Sequence, residues 1–171
     1  MSVGAERLFG VSNASQSPGS SVTTFSLLGG SGLEAGATPY GIPRIGVDGF
    51  LSDGLSLGLG AEFAIIDQSG GNITVVGLNP RVGYALHASD GFSLWPRVGI
   101  SYVNMSVGSS RPLTQTQSAY LLAGTIEIQI VVTPLPHFGF LIAPTLDIGL
   151  AATSSTKITQ IGLQAGLIGW F

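Results

Sequence analysis

Apolar and polar residues alternate along most of this chain, and the alternation is clearest at its C-terminal end. From Lys157 to Phe171, one face of an extended chain carries mostly apolar side chains and the other mostly small or polar ones. A period of two is the pattern of a β-strand with one apolar face. The stretch is longer than the roughly 9–11 residues that a tilted strand needs to cross a bilayer. It is therefore typical of the closing strand of a transmembrane β-barrel.

The same alternation predicts further strands upstream. We expect strands at residues 5–12, 39–51, 55–67, 73–87, 92–105, 118–132 and 137–151, followed by 157–171. Short Gly-, Asp- or Pro-containing turns at 52–54, 89–91 and 133–136 connect some of them at one end, and longer polar loops lie at the other. The prediction is an all-β, eight-stranded antiparallel up-and-down transmembrane β-barrel, formed by residues 1–171 as a single domain.

The segment 13–37 leaves the strand number open. It is rich in Ser, Gly and Asn around a strand-like stretch at 22–28. We interpret it as a long external loop, although the strand-like stretch is alternatively a ninth strand. Eight is favoured because bacterial single-chain barrels have an even number of strands.

Composition supports a membrane barrel and excludes several other classes. Charged residues make up 9% of the chain, against about 25% in soluble domains. The mean hydropathy is +0.48, yet no run of about 18 apolar residues occurs, which excludes a transmembrane helix. With six Lys and Arg residues and a net charge of −3, the chain is not basic enough for us to expect a nucleic-acid-binding surface. The absence of cysteine removes disulfides and thiolate chemistry.

Cellular location follows from the same pattern. Residues 1–4 have neither the basic nor the apolar region of a signal peptide, so we expect the mature form of an outer-membrane protein. The alternative is a soluble, lipocalin-like barrel with its apolar face inside. A soluble barrel needs charged residues on its outer face, and here that face would carry many glycines and one or two charges per strand.

A repeated Pro-Arg-x-Gly motif marks three strands, at 43–46, 80–83 and 96–99. In each strand, Pro and the residue after Arg share the apolar face, while Arg and Gly share the other. If the apolar face contacts lipid, the arginines and several carboxylates point into the barrel. The predicted lumen charge network is Arg44, Asp48, Glu62, Arg81, Arg97, Glu127 and Asp147.

Two functions of this network remain open. Uncompensated buried charges are costly, and an eight-stranded interior is just wide enough for side chains to fill, so we favour a salt-bridged plug. The alternative is a narrow ion or small-solute channel. Four strand prolines on the proposed lipid face (Pro43, Pro80, Pro96 and Pro144) each remove a backbone donor, so we expect bulges or kinks there.

A lipid-modifying enzyme is the third alternative. His87 and His137 are the only histidines, and both lie beside predicted short turns. Lipid-modifying barrels of the outer membrane, the palmitoyltransferase and deacylase types, carry their catalytic His and Ser toward the external leaflet, and no His of this chain is predicted on that side. We therefore predict no catalytic residues, no cofactor and no metal site, and expect the histidines to bind turn backbone.

Several segments resemble a family of small outer-membrane barrels from myxobacteria and their relatives. These segments are Glu6–Ser12, Pro80–Tyr84, Leu94–Gly99, Pro136–Phe138 and Gly162–Phe171. In size and strand number the chain is also similar to OmpX and the transmembrane domain of OmpA. The resemblance implies an outer-membrane location, with the terminal Phe171 as a signal to the assembly machinery. It transfers no activity to individual residues.

We expect membrane lipids and lipopolysaccharide as contacts and a monomeric state. The loops at 13–37 and 106–117 would carry a structural or surface-interaction role.

Overall fold

The fold consists of β-strands and short turns. The computed structural model describes residues 1–16, 19–27, 42–68, 71–109, 117–153 and 158–171. The strands are β1 (Ser2–Gln16), β2 (Ser20–Leu27), β3 (Arg44–Phe50), β4 (Leu55–Gln68), β5 (Gly71–Tyr84), β6 (Leu86–Ser89), β7 (Phe92–Ser109), β8 (Gln117–Leu135), β9 (Phe138–Ala152) and β10 (Ile158–Trp170). None of the described residues forms a helix long and apolar enough to cross a membrane.

These strands close into one antiparallel barrel. The neighbours follow the order β10-β9-β8-β7-β5-β4-β3-β1, and β1 pairs with β10 to complete the ring. β6 continues the line of β5 after a break at Ala85 and also pairs with β7. β2 and β3 share one place in the ring, because β2 pairs with Phe9–Gln16 of β1 and β3 with Ser2–Glu6. The ten segments therefore occupy eight positions, as predicted.

The predicted long loop at 13–37 is wrong in part. Residues 13–16 continue β1, and residues 20–27 form β2, which pairs with β1 in unbroken register from Phe9↔Leu27 to Gln16↔Ser20. The strand-like stretch is therefore a real strand, but it adds no ninth position to the ring. Ser and Thr weaken the apolar–polar alternation of this stretch, but a neighbouring strand that supplies backbone hydrogen-bond partners still allows it to form a strand. Residues 17–18 and 28–41 lie outside the described part.

The short turns and both termini lie at one end of the barrel, which we call the short-turn end. The turns centre on residues 51–54, 90–91 and 136–137. Gly54 and Gly91 adopt φ angles of 87° and 80°, a backbone region that side-chain-bearing residues rarely enter. At the opposite end, which we call the far end, β1 leads to β2, β4 to β5, β7 to β8 and β9 to β10.

The two faces of the wall differ as the alternation predicts. Representative outward residues from seven strands are between 46% and 64% exposed: Ile45, Leu57, Phe63, Leu78, Val98, Ile126, Ile142 and Leu163. In contrast, Glu6, Arg7, Arg44, Asp48, Arg81, Arg97, Glu127 and Asp147 are at most 6% exposed and face inward. An apolar outer face around a polar interior is the reverse of a soluble barrel.

Exposed aromatic side chains mark two levels on the outer face. Near the short-turn end these are Tyr84, Phe92, Phe140 and Phe171, and nearer the far end Phe25, Phe63, Tyr102 and Tyr120. Phe50 instead faces the interior, where its ring centroid lies 5.4 Å from that of Trp95. Phe138, also near the short-turn end, is half-buried and packs edge-on against Phe140, with ring centroids 5.3 Å apart. The Trp95 side chain faces the interior and is 3% exposed.

The strand prolines do not produce the predicted bulges. The described register shifts fall at Ala5/Phe9, His87/Ser89, Leu122/Ala123 and Val132/Leu135, away from all four prolines. Pairing instead pauses beside Pro80 and opposite Pro144, and resumes in the same register. A proline that lacks one donor interrupts pairing with one neighbour and leaves the other ladder intact.

Candidate functional site: the charged barrel interior

A bulge in β1 turns two consecutive charged residues into the barrel. Glu6 and Arg7 are each 2% exposed, although neighbouring residues of a regular strand point to opposite faces. The pairing of β1 with β10 shifts between Ala5 and Phe9, and Arg7 has a φ of 56°. A positive φ at a bulky residue is rare and is held by surrounding contacts. The bulge thus adds an arginine that alternation alone would point at lipid.

Glu6 is bound by three arginines from three other strands. Its Oε2 accepts from Arg44 Nε and from Arg81 Nη1, both at 2.7 Å, and its Oε1 accepts from Arg97 Nη1 at 2.9 Å. Both carboxylate oxygens are therefore used, and the side chain is almost fully buried. Glu6 is the centre of one half of the network.

Glu127 on β8 is a second centre. Its Oε2 accepts from Arg97 Nη2 at 2.6 Å, and its Oε1 accepts from Arg7 Nη2 at 3.0 Å and also from Arg44. Arg44 and Arg97 each bind both Glu6 and Glu127. These shared arginines join the two centres into one network across the barrel.

Two aspartates complete the network. Asp48 forms a two-point contact with Arg81, at 2.9 Å from Nε and 2.5 Å from Nη2. Such paired hydrogen bonds between a guanidinium and a carboxylate are the stronger, better-oriented kind. Asp147 lies 3.3 Å from Arg7 Nη1 and accepts a hydrogen bond from Thr125 at 2.7 Å.

The structure brings six of the seven predicted network residues together: Arg44, Asp48, Arg81, Arg97, Glu127 and Asp147. Glu62 also faces inward, with its side chain over Gly77, but it is half-buried and forms no ion pair within the described part of the chain. Sequence reasoning missed Glu6 and Arg7. Among the described residues, the interior therefore holds four arginines and five carboxylates, where three and four were expected, so the formal balance is again 4 − 5 = −1.

Glycines on neighbouring strands make room for the guanidinium groups. A β-carbon at Gly46 would fall on Arg81, and one at Gly60 would lie 3.2 Å from Arg44 Cδ. A β-carbon at Gly83 would lie 2.7 Å from Arg97 Cγ. Because the interior of an eight-stranded barrel is narrow, long side chains fit only where a facing position carries none.

Apolar layers lie on both sides of the charged network. Toward the short-turn end the layer comprises Trp95, Val131, Leu141 and Ile168, and toward the far end Ile42, Val75, Val103, Leu121 and Ala123. The Trp95 indole N–H donates to Ser56 Oγ at 3.0 Å, and its ring lies 5.0 Å from Arg97 Cζ, within cation–π range. The charges are thus enclosed by apolar side chains along the barrel axis.

A cavity of about 1340 Å³ opens at the short-turn end. It is lined by the three short turns and both termini, and Trp95, Val131 and Ile168 lie at its inner wall. His87 lines this cavity, whereas His137 Nδ1 donates to the Trp170 carbonyl at 3.1 Å, a contact with strand-end backbone. Phe171 is 85% exposed, and its backbone N–H donates to the Met1 carbonyl. Among the described residues no three His, Cys, Asp or Glu side chains are arranged to hold a metal.

Comparison with known proteins identifies the fold. The sequence matches no protein-family model and no curated protein sequence. Neisserial surface protein A superposes with a TM-score of 0.66 and 13% identity, covering 99% of this chain and 96% of that one. The attachment invasion locus protein Ail of Yersinia pestis gives 0.51 and 12% identity, covering 98% and 95%. Ail in complex with the heparin analogue sucrose octasulfate gives 0.54 and 12%, with the same coverage. The chain has the fold of these small eight-stranded outer-membrane barrels.

Proposed function

We propose that this protein is an integral outer-membrane barrel with a structural or surface-interaction role and a lumen closed by its own side chains. The observation that carries the proposal is the buried network around Glu6 and Glu127. All four of its arginines are ion-paired, and apolar layers flank it on both sides. A side-chain-filled interior suits a membrane anchor, because it leaves ions no continuous wet path.

The outer face supports membrane insertion. Large apolar residues are exposed on strand after strand, between two levels of aromatic side chains. An apolar band flanked by aromatic girdles is the pattern of outer-membrane barrels. Among charged side chains whose burial is described, Asp53 and Asp90 are exposed, and both lie in short turns. We infer that the short-turn end is periplasmic, that lipid and lipopolysaccharide surround the wall, and that Phe171 serves as the signal to the assembly machinery.

The interaction role belongs to the far end of the barrel. There, β1 and β2 form a hairpin in which Asn13 Nδ2 donates to Thr23 Oγ1 at 2.9 Å. Ser15, Ser20, Ser21 and Thr23 on this hairpin are exposed. We infer that this hairpin, together with the segment at 106–117, meets partners outside the cell. The protein acts as a monomer without cofactor and without catalysis.

Conductance measurements test the closed lumen. We expect no steady current from the refolded protein in a planar bilayer, when folding has been verified by circular dichroism and by heat-dependent gel mobility. Steady steps whose size changes in Glu62→Gln would contradict the plug and support a channel. Glu62 suits this purpose, because it faces the lumen outside the ion pairs and its replacement leaves the network intact.

Substitution on the outer face tests membrane insertion. Ile126 is 46% exposed and lies midway along β8 between Tyr120 and Val132, which pairs with Phe92. We expect Ile126→Arg to lower the free energy of unfolding in lipid vesicles by about 2–4 kcal/mol, the cost of arginine at the bilayer midplane. Leu135→Arg, at the short-turn end, is the matched control with an expected loss of about 0–1 kcal/mol. Equal effects at the two depths would argue against a transmembrane wall.

A further inference from the structure

A hydrogen-bonded row of polar side chains lies next to the charged network. Asn79 Nδ2 donates to Ser101 Oγ at 3.0 Å, Ser101 and Thr125 share a hydrogen bond of 2.6 Å, and Thr125 donates to Asp147 Oδ1 at 2.7 Å. The row crosses from β5 to β9. Every link joins side chains that are at most 5% exposed.

The row ends next to glutamine side chains with amide atoms that form no hydrogen bond. Gln160 lies directly opposite Asp147 in the pairing of β9 and β10 and is fully buried. Neither its amide oxygen nor its amide nitrogen has a hydrogen-bond partner in the described chain. Gln164 Oε1 is a further acceptor without a donor. Asp147 Oδ2 is ion-paired with Arg7 Nη1 at 3.3 Å but accepts no hydrogen bond.

No side chain separates the two glutamines along β10. The inward position between them is Gly162, and a β-carbon there would lie 3.1 Å from Gln164 Nε2. A β-carbon at Gly10, on the neighbouring β1, would overlap the Gln164 amide. The Gln164 amide therefore lies over two glycines and reaches toward the level of Gln160. The unused atoms of β9 and β10 border the same side of the lumen.

The kind of unused atom defines the ligand. Gln160 presents a donor and an acceptor, and Asp147 and Gln164 present acceptors, so the ligand must both accept and donate hydrogen bonds. A metal cation would satisfy only the oxygens, and an anion would be repelled by Asp147. Water meets both requirements, and buried waters in proteins commonly bind two to four such groups. Burial without any partner is strongly unfavourable for polar groups of this kind.

We propose that Gln160, Asp147 and Gln164 form a binding site for internal water, placed between the charged network and the far apolar layer. The water extends the row that begins at Asn79 and ends it on β10. The site shares Asp147 with the Arg7 ion pair. Because Gln160 takes part in no ion pair, its replacement leaves the network intact, and the water site is tested independently of the closed lumen.

Whether a substitution at Gln160 lowers or raises the melting temperature tests the site. Gln160→Met keeps the length of the side chain and removes both amide atoms. If water binds the amide, we expect the melting temperature to fall by at least about 2–4 °C, since hydrogen bonds are lost and Asp147 loses a partner. If no water binds the Gln160 amide, the substitution removes a buried polar group that has no hydrogen-bond partner. The melting temperature would then rise, which would overturn the proposal. Ile161→Met, on the lipid-facing side of the same strand, is the control and should change little.

Two measurements on the unsubstituted protein keep the test decisive if Gln160→Met fails to fold. Nuclear magnetic resonance in micelles should give cross-peaks between water and the side-chain NH₂ of Gln160, and the absence of these cross-peaks would contradict the proposal. Replacement of NaCl by choline chloride at constant ionic strength should leave the melting temperature unchanged. A loss of stability specific to sodium removal would overturn water in favour of a bound cation.

Discussion

Glu6→Gln is expected to destabilise the barrel far more than neutralisation of Glu62, an interior carboxylate outside the described ion pairs. Glu6 accepts hydrogen bonds from Arg44, Arg81 and Arg97, and it is 2% exposed. Glutamine has nearly the same shape, but it offers a single acceptor and no charge. Three buried guanidinium groups would then lose the negative charge of the Glu6 carboxylate. Breaking a buried pair by removing one partner costs about 3–5 kcal/mol, and we expect at least this loss in the free energy of unfolding by urea in lipid vesicles.

Glu62→Gln is the matched control for this prediction. Both residues are inward-facing glutamates, but Glu62 is half-buried and has no ion pair among the described residues. We expect its neutralisation to change the unfolding free energy much less than that of Glu6, because no ion pair with a described residue is lost. Equal losses in the two single variants would show that Glu6 is not the centre of the network.

The strands of the barrel wall could be predicted from the sequence, because the alternation of apolar and polar residues lies within each strand. Each strand must present apolar side chains outward and small or polar ones inward. Because successive side chains point to opposite faces, this requirement appears in the sequence as a period of two. In the strand predicted at residues 55–67, the alternation puts Leu57, Leu59 and Phe63 on one apolar face, and all three are exposed. The place of β2 in the ring was not predicted, because it depends on pairing with the second half of β1.

The interior could be predicted only where strands are regular. Arg44, Arg81 and Arg97 follow the Pro-Arg-x-Gly pattern, and alternation assigns them to the lumen. Glu6 and Arg7 are adjacent, so alternation can place only one of them inside. Their joint burial depends on a bulge with a positive φ at Arg7, and the weak pattern of residues 5–12 gives no sign of it. Two consecutive charges in a strand that must cross lipid are the available clue, since one of them would otherwise face hydrocarbon.

Gly58→Val is expected to prevent assembly of most of the protein. Gly58 lies on β4 and faces inward, and a β-carbon there would fall on the Asp48 carboxylate and lie 3.0 Å from Arg81 Nε. Valine would therefore push apart a two-point ion pair that has no free space around it. Overpacking costs about 1–3 kcal/mol and a broken buried pair about 3–5 kcal/mol, so the expected loss is at least about 4 kcal/mol. The folded fraction after refolding, read from heat-dependent gel mobility, measures it.

Gly124→Val provides the opposite expectation at a glycine of the same barrel. Gly124 lies on the outward side of β8, and the nearest atom to an added β-carbon is Leu150 Cδ1 at 3.9 Å. Valine at this position would meet lipid, favour the extended chain and restrict the unfolded state, so we expect unchanged or slightly higher stability. A Gly58→Val protein that refolds as fully as Gly124→Val would mean that Asp48 and Arg81 have room to move. The closed lumen would then lose its main physical support, because a network that yields to a valine would also yield to water and ions.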